Sequence, residues 1–305
     1  METKKCDLLI IGAGPAGLTA AIYSARAGLS TIILEKLGVG GQVMSTGDIE
    51  NFPGFVNVTG ADLITKMSEQ VGALGVEIVY DEIKHADFEK KTIKCESTKI
   101  SCQAIIIAVG ASPRKMGAEN EEKFAGEGVH FCALCDGAFY KDKDIVVVGG
   151  GNSAVEEVIY MGDIAKSITV VNVTPDFNAQ AILVEKMKAL PNLKAVHHSS
   201  KVLKILGEEK VIGIEITGGQ KIDCDGVFVA IGRSPNTKLL SGALGISKGG
   251  YIKTNSKRET KIEGVYAAGD CVEKHVRQIV TACSDGAISA THAAEYIKAN
   301  SPVKK

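Results

Sequence analysis

Short apolar runs ending in glycine punctuate the chain. Leu8–Ile11 ends at Gly12, and a second run, Ala104–Gly110, passes directly into a glycine turn. The segments Gly226–Gly232 and Gly264–Asp270 do the same. Apolar runs of this length bounded by turn residues predict buried strands. Between some of them lie amphipathic stretches of helical period. Strands alternating with helices predict an α/β fold.

The pattern contains one unit twice. Residues 6–35 and 144–173 each read as an apolar strand, a glycine turn, an amphipathic helix and a second apolar strand. The first glycines are Gly12 and Gly149, and 23 residues beyond them stand Glu35 and Asn172. A βαβ unit used twice predicts two dinucleotide-type domains. In the first, Gly12-x-Gly14-x-x-Gly17 is complete. Gly12 permits the tight turn, Gly14 lets the backbone approach a pyrophosphate, and Gly17 lets the helix pack on the strand. Phosphates favour a helix N-terminus, where free N–H groups and the dipole meet negative charge. Glu35 can accept hydrogen bonds from a ribose diol. The glycine turn after Ala104 and the late Gly269-Asp270 pair, in that order along the chain, favour FAD in this first site.

The arrangement predicts two Rossmann-like domains, the second inserted into the first. Residues 1–112 and 245–305 would form the FAD domain, and residues 113–244 the insert. The connecting segments are expected near Ser112–Lys115 and Ser241–Gly245.

Composition narrows the function. A net charge of −1 gives no reason to expect nucleic acid or a membrane surface as partner. No apolar run approaches the ~18 residues of a membrane helix. The polar start, Met1–Asp7, followed by only four apolar residues, predicts no secretory leader and makes the cytoplasm the expected compartment. Of 8 cysteines, only Cys132 and Cys135 lie close in sequence. The other six read as small buried apolar residues.

Cys132-Ala133-Leu134-Cys135-Asp136 falls just before the second nucleotide-type strand. Three readings compete. A structural zinc site needs four ligands, and no second such pair is present. A buried inert pair is the bland reading. A redox dithiol fits best, because two intervening residues let the sulfurs close a small ring and lower the pKa of one thiol. Asp136 follows directly and could move the proton that thiol–disulfide exchange requires.

CALCDGAFY (132–140) resembles the active-site stretch of the low-molecular-weight thioredoxin reductases. The resemblance covers nearly the whole chain: GAGPAG (12–17), GGQ (40–42), TGDIENFPG (46–54), AVGA (108–111), GGGNSAVEE (149–157), AIGRSPN (230–236), AAGD (267–270) and Arg277-Gln278. It implies FAD held by Gly12, Gly14, Ala16, Gly17, Glu35, Gly41, Gln42, Asn51, Ala108, Gly110, Gly269, Asp270, Arg277 and Gln278. It also implies that Cys135 is reduced by the flavin, that Cys132 attacks the substrate disulfide, that Asp136 is the acid/base, and that thioredoxin is the substrate. A rotating second domain and a homodimer are further implications.

One stretch departs from the family. NADPH-using members follow the second strand with a His-Arg-Arg-x-x-x-Arg pattern that grips the 2′-phosphate. Here the chain reads Asn172-Val173-Thr174-Pro175-Asp176-Phe177-Asn178, so Val173, Thr174 and Asn178 stand where the arginines are expected. Three lost contacts of about 1.5–3 kcal/mol each would weaken NADPH by orders of magnitude. Some thioredoxin reductases of this general shape take electrons from ferredoxin, and that donor is the expectation here, with Lys257, Arg258, Lys274 and Arg277 as candidate docking cations. NADH or NADPH use, the flavoprotein of a peroxide-reducing pair and a FAD sensor without turnover are the alternatives.

Overall fold

The computed structural model describes residues 1–46, 48–238, 240 and 244–300. The chain divides into two compact units: Met1–Ser112 together with the chain from Ser234 onward, and Pro113–Arg233. The expected second crossing at 244/245 therefore falls eleven residues earlier, at Arg233/Ser234. Its physical reason is a short ribbon. The two segments that pass between units, Ala111–Pro113 and Arg233–Pro235, pair with each other as a two-stranded sheet. The first expected connector, Ser112–Lys115, begins at this crossing. Of the second, residues 241–243 lie outside the described residues.

Each unit is built on a five-stranded parallel sheet. In the first the order is Val265–Ala267, Ala104–Ile107, Leu8–Ile11, Thr31–Glu35, Glu77–Tyr80. In the second it is Val129–His130, Gly226–Val229, Asp144–Val148, Ser167–Val171, Leu193–His197. The central strands are mostly apolar and buried on both faces, as a parallel sheet covered on two sides requires. Core residues on the two faces of the first sheet alternate along one strand: Leu8 and Ile10 belong to one cluster, Leu9 and Ile11 to the other. The same alternation divides Ile145 and Val147 from Val146 and Val148 in the second unit.

The turn that follows the first strand of each unit is the same construction. Gly12 has φ +106°, and a Cβ there would run into the Ala108 carbonyl. Gly149 has φ +147°, and a Cβ there would run into the Ala230 carbonyl. In both cases the strand lying alongside, from the AVG and AIG segments, passes so close that only glycine fits. The helices that follow, Pro15–Arg26 and Asn152–Met161, begin with Gly14 and Gly151 as extended N-caps that no side chain satisfies. The first opens with proline, whose missing N–H costs nothing at that position.

In the first unit the long helix Ile279–Asn300 lies directly on Pro15–Arg26. Small residues permit this: a Cβ on Gly286 would strike the Ala16 carbonyl, and Ala290, Ala293 and Ala294 are buried along the same helix. Each unit also carries a small second sheet: in the first, Ile83–Asp87, Thr92–Cys95 and Thr98–Ser101 run antiparallel and Glu2–Lys5 joins Thr98–Ser101 in parallel, and in the second Val202–Leu206, Gly213–Ile216 and Lys221–Asp223 run antiparallel. No described helix is long and apolar enough to cross a membrane.

Candidate active site

The nucleotide cradle of the first unit assembles from segments far apart in sequence. The Gly40 amide donates to the Ala13 carbonyl at 2.8 Å, and the Cβ position of Gly41 lies 3.8 Å from the Gly14 Cα. Gln42 then donates its side-chain amide to the Ala111 carbonyl. Glu35 accepts from the Ala13 amide at 2.8 Å and from the Lys36 and Leu37 amides at 2.8 and 3.0 Å. Its carboxylate thus anchors the glycine turn, a use the sequence reading did not foresee, and retains acceptor capacity for a ribose diol. Ala108 backs Gly12, and a Cβ on Gly269 would press on Ala16. The Gly110 carbonyl accepts from the Asn236 amide at 3.1 Å. Asn51 and Gln278, 227 residues apart, meet through their side chains at 3.4 Å. Arg277 lies over the Tyr251 ring at 4.2 Å, with its Nη2 3.4 Å from the Val272 carbonyl. Its buried Nε has no acceptor among the described residues.

Beneath the Gly269-Asp270 turn lies a charge cluster that sequence reading missed. Asp285, buried in the long helix, accepts from the Gly269 amide at 3.0 Å, from Lys274 at 2.8 Å and from Arg258 at 2.7 Å. An acid amid alanine, serine and glycine in the first half of that helix was the available signal. Lys274 also lies 3.9 Å from Asp270. These contacts correct the docking patch. Arg258 and Lys274 turn inward to Asp285 and Arg277 lies on Tyr251, so of the four candidate cations only Lys257 is exposed.

This cradle fits FAD. Gly14 faces open space where a Cβ would meet no protein atom, which is where the fingerprint brings a pyrophosphate. The uncapped helix start beside it has N–H groups to offer.

In the second unit, strand Val129–His130 delivers the chain to Cys132, which begins the one-turn helix Ala133–Asp136. The Cys135 and Asp136 amides bond back to the Cys132 carbonyl at 3.2 and 3.1 Å. That turn brings the two cysteines to a Cα separation of 5.3 Å, and their sulfurs are joined as a disulfide. Both are partly exposed. No described group of three or more His, Cys, Asp or Glu side chains could hold a metal. Among the other six cysteines, Cys6, Cys95, Cys224 and Cys271 are buried, and Cys102 and Cys283 are partly exposed. Burial pushes Cys95 up to about 11 and Cys224 and Cys271 up to about 12, which keeps them inert thiols.

Three residues around the dithiol were not found from the sequence. His130 Nδ1 lies 3.2 Å from Asp136 Oδ2, and its Nε2 lies 2.8 Å from the Tyr140 hydroxyl. Burial pushes the Tyr140 phenol up to about 12, so it stays protonated. Glu157, on the helix Asn152–Met161, receives the Ala133 amide from within the Cys132–Cys135 loop. Burial pushes its carboxyl up to about 7, against the opposing pull of that amide and of Arg233. Its Oε2 has no hydrogen-bond partner among the described residues.

A paired glycine-turn architecture, a FAD cradle in one unit and a two-cysteine disulfide in the other define a flavoprotein disulfide oxidoreductase. Residues 6–286 match the pyridine nucleotide-disulphide oxidoreductase family. The thioredoxin reductase of Bacillus subtilis is 43% identical, over 97% of this chain and 96% of that protein. The crystal structure of thioredoxin reductase from Streptococcus pyogenes superposes with a TM-score of 0.91 at 39% identity, over 97% of this chain and 99% of that one. A ferredoxin-flavin thioredoxin reductase from Clostridium acetobutylicum matches with a TM-score of 0.55 at 29% identity, over 98% of this chain and all of that one. The chain belongs to the low-molecular-weight thioredoxin reductases of this family, and its cofactor is FAD.

Two outcomes follow from the geometry. Gly14→Val places a branched side chain in the open space beside the helix start; the purified variant should be colourless and bind added FAD at least 100-fold more weakly in a fluorescence titration, while its far-UV circular dichroism stays that of the wild type. Glu157 makes stability depend on pH. Between the ordinary carboxyl range and about 7 the folded protein holds a proton that the unfolded chain releases, so stability falls as pH rises through that window. Glu157→Gln removes this loss. Denaturant unfolding should find the variant and the wild type alike near pH 5 and the variant more stable at pH 8, by on the order of 2 kcal/mol. A difference that does not change with pH would refute the assignment.

Proposed function

We propose that this thioredoxin reductase reduces its substrate through the Cys132/Cys135 dithiol with Asp136 as acid/base, and that its electrons come from ferredoxin and not from a pyridine nucleotide. The observation that carries the second part is the state of the second glycine turn. The loop 172–180 folds back along it. The Asn178 amide donates to the Gly150 carbonyl at 2.7 Å, and Asn178 bridges Gly151. The Gln180 amide bonds the Asn152 side chain at 2.8 Å.

Asn172, at the position that would read the ribose, is already committed. Its oxygen accepts from the Thr174 amide and hydroxyl at 3.2 and 2.9 Å, and its amide donates to the Asp176 carbonyl at 2.9 Å. A Cβ on Gly150 would collide with this side chain. Asn172 is 2% exposed, which argues against an NADH site as well as an NADPH site. The arginines that would pair with a 2′-phosphate are replaced by Val173, Thr174 and Asn178.

Bound FAD would supply the capacity to take electrons singly or in pairs and to pass a pair to the disulfide. The protein's own residues then carry the exchange. Cys132 leads the helix and attacks the substrate disulfide, Cys135 resolves the mixed disulfide, and Asp136 moves the protons. Thioredoxin as substrate and a homodimeric state in the cytoplasm belong to the same reading. The tight pairing of Arg258 and Lys274 with Asp285 removes them as a docking surface for an acidic donor, so that surface must be sought elsewhere.

Anaerobic stopped flow separates the donors. Oxidised protein mixed with reduced ferredoxin should bleach rapidly, and neither NADPH nor NADH at millimolar concentration should bleach it on the same timescale. Fast bleaching by micromolar NADPH would return the protein to nucleotide-dependent reduction. The sulfurs can be assigned by trapping. Cys135→Ser should accumulate a stable mixed disulfide with a thioredoxin that lacks its resolving cysteine, and Cys132→Ser should form none; the reverse pattern would exchange their roles.

A further inference from the structure

We propose that His130 is a positioning residue for Asp136, forming with Tyr140 a buried Tyr140–His130–Asp136 chain that fixes the acid/base of the dithiol. The inference rests on the reading of Asp136 as that acid/base. His130 is 7% exposed, two residues before Cys132 on the strand that delivers the dithiol. Phe228 stacks on the imidazole at 5.4 Å, and the Tyr140 ring meets it edge-on at 5.1 Å. The ring therefore has little freedom to turn.

The hydrogen-bond inventory then sets the proton. A carboxylate only accepts, so the nitrogen facing Asp136 must carry hydrogen when Asp136 is ionised. That nitrogen is Nδ1, at 3.2 Å. With hydrogen on Nδ1, neutral Nε2 is an acceptor, and the Tyr140 hydroxyl, 2.8 Å away, supplies its donor. Tyr140 fixes the tautomer, and the tautomer directs an N–H at the carboxylate. This contact, within ion-pair reach, holds the orientation of the Asp136 carboxylate.

The charged and titratable groups around the chain are few. Lys143 lies 5.2 Å over the Tyr140 ring. Cys224 and Asp225 act on the Tyr140 phenol, and Asp136 acts on both Tyr140 and Glu157. Arg233 pulls on Glu157. Of these groups, His130 lies against Asp136, its Nδ1 3.2 Å from Oδ2.

The exchange moves two electrons and two protons from the enzyme dithiol to one substrate disulfide. Cys132 gives up its proton and attacks one substrate sulfur. The sulfur–sulfur bond of the substrate breaks, and the departing thiolate is protonated. Cys135 gives up its proton and attacks Cys132. The enzyme disulfide forms, and the second substrate thiolate leaves and is protonated. Asp136 must take and return a proton in each half, so the rate follows the carboxylate orientation that His130 sets.

The test bypasses the electron donor. Enzyme reduced anaerobically with dithionite is mixed with oxidised thioredoxin, and separately with a small aromatic disulfide, and thiol release is followed at neutral pH. His130→Leu, which keeps an apolar side chain against Phe228, should slow the exchange at least tenfold. His130→Asn keeps an N–H donor and should restore most of the rate. Tyr140→Phe should slow the exchange by less than His130→Leu. In an Asp136→Asn background, His130→Leu should add no further loss, because both act through one group. Wild-type rates for His130→Leu, no rescue by His130→Asn, or a loss additive with Asp136→Asn would overturn the proposal. Wild-type rates in Asp136→Asn alone would overturn the acid/base reading beneath it. The small disulfide reads the dithiol chemistry whichever protein is the partner.

Discussion

The passage of the Ala108 carbonyl over Gly12 governs the rest of the first unit. It sets how closely the strand from Ala104 can lie beside the strand from Leu8, and so where the glycine turn points. Around that turn everything else is arranged. Glu35 ties down the Ala13 amide, Gly40 bonds the Ala13 carbonyl, and the long C-terminal helix approaches Ala16 closely enough to exclude a side chain at Gly286. The second unit repeats the constraint with Gly149 and the Ala230 carbonyl. A parallel sheet that hands its chain to a helix through so tight a turn has one solution, and this molecule uses it twice.

The sequence carried this framework well because each part of it is a local pattern. A glycine after an aliphatic run, a helix of amphipathic period and an acid or amide 23 residues on are all legible along the chain. The second crossing between units was misread for the same reason. Small residues near Ser241–Gly245 look like a connector, whereas the chain crosses where Arg233–Pro235 pairs with Ala111–Pro113, and pairing between segments more than a hundred residues apart leaves no local mark. Asp285, His130, Tyr140 and Glu157 escaped notice likewise. Their significance lies in partners that only the folded chain supplies. The four basic residues taken as a surface patch show the reverse error, because a charge in sequence carries no sign of whether it faces water or a buried carboxylate.

The dithiol occupies the more demanding environment. Burial of polar groups is costly unless each is paired, and around Cys132–Cys135 most are. The backbone turn satisfies the Cys135 and Asp136 amides, His130 serves Asp136, and Tyr140 serves His130. Glu157 is the exception, half satisfied by the Ala133 amide and raised toward neutrality. A carboxyl that titrates near physiological pH, against the backbone of the redox loop, couples the charge of that loop to the proton concentration around it.

The two glycine turns also show why a fingerprint does not by itself report a ligand. Gly12 and Gly149 are required by the strand passing over them, whether or not anything binds, so their presence is explained by packing alone. The informative positions are those whose space is left for something else. At Gly14 no protein atom stands near the absent Cβ, and the cradle is open. At Gly151, the counterpart of Gly14, the nearest atom to the absent Cβ is the Asn178 carbonyl at 4.0 Å, while the neighbouring Gly150 lies against Asn172 and its carbonyl accepts from the Asn178 amide. The two turns thus share the constraint set by the sheet and differ in what lies beside them: Glu35 holds the Ala13 amide in the first, and the loop 172–180 runs along the second. The loop itself is independent of the sheet's demands: Thr174 and Asn178 lie outside the strand Ser167–Val171, and their hydrogen bonds run within the loop or to the glycine turn beside it.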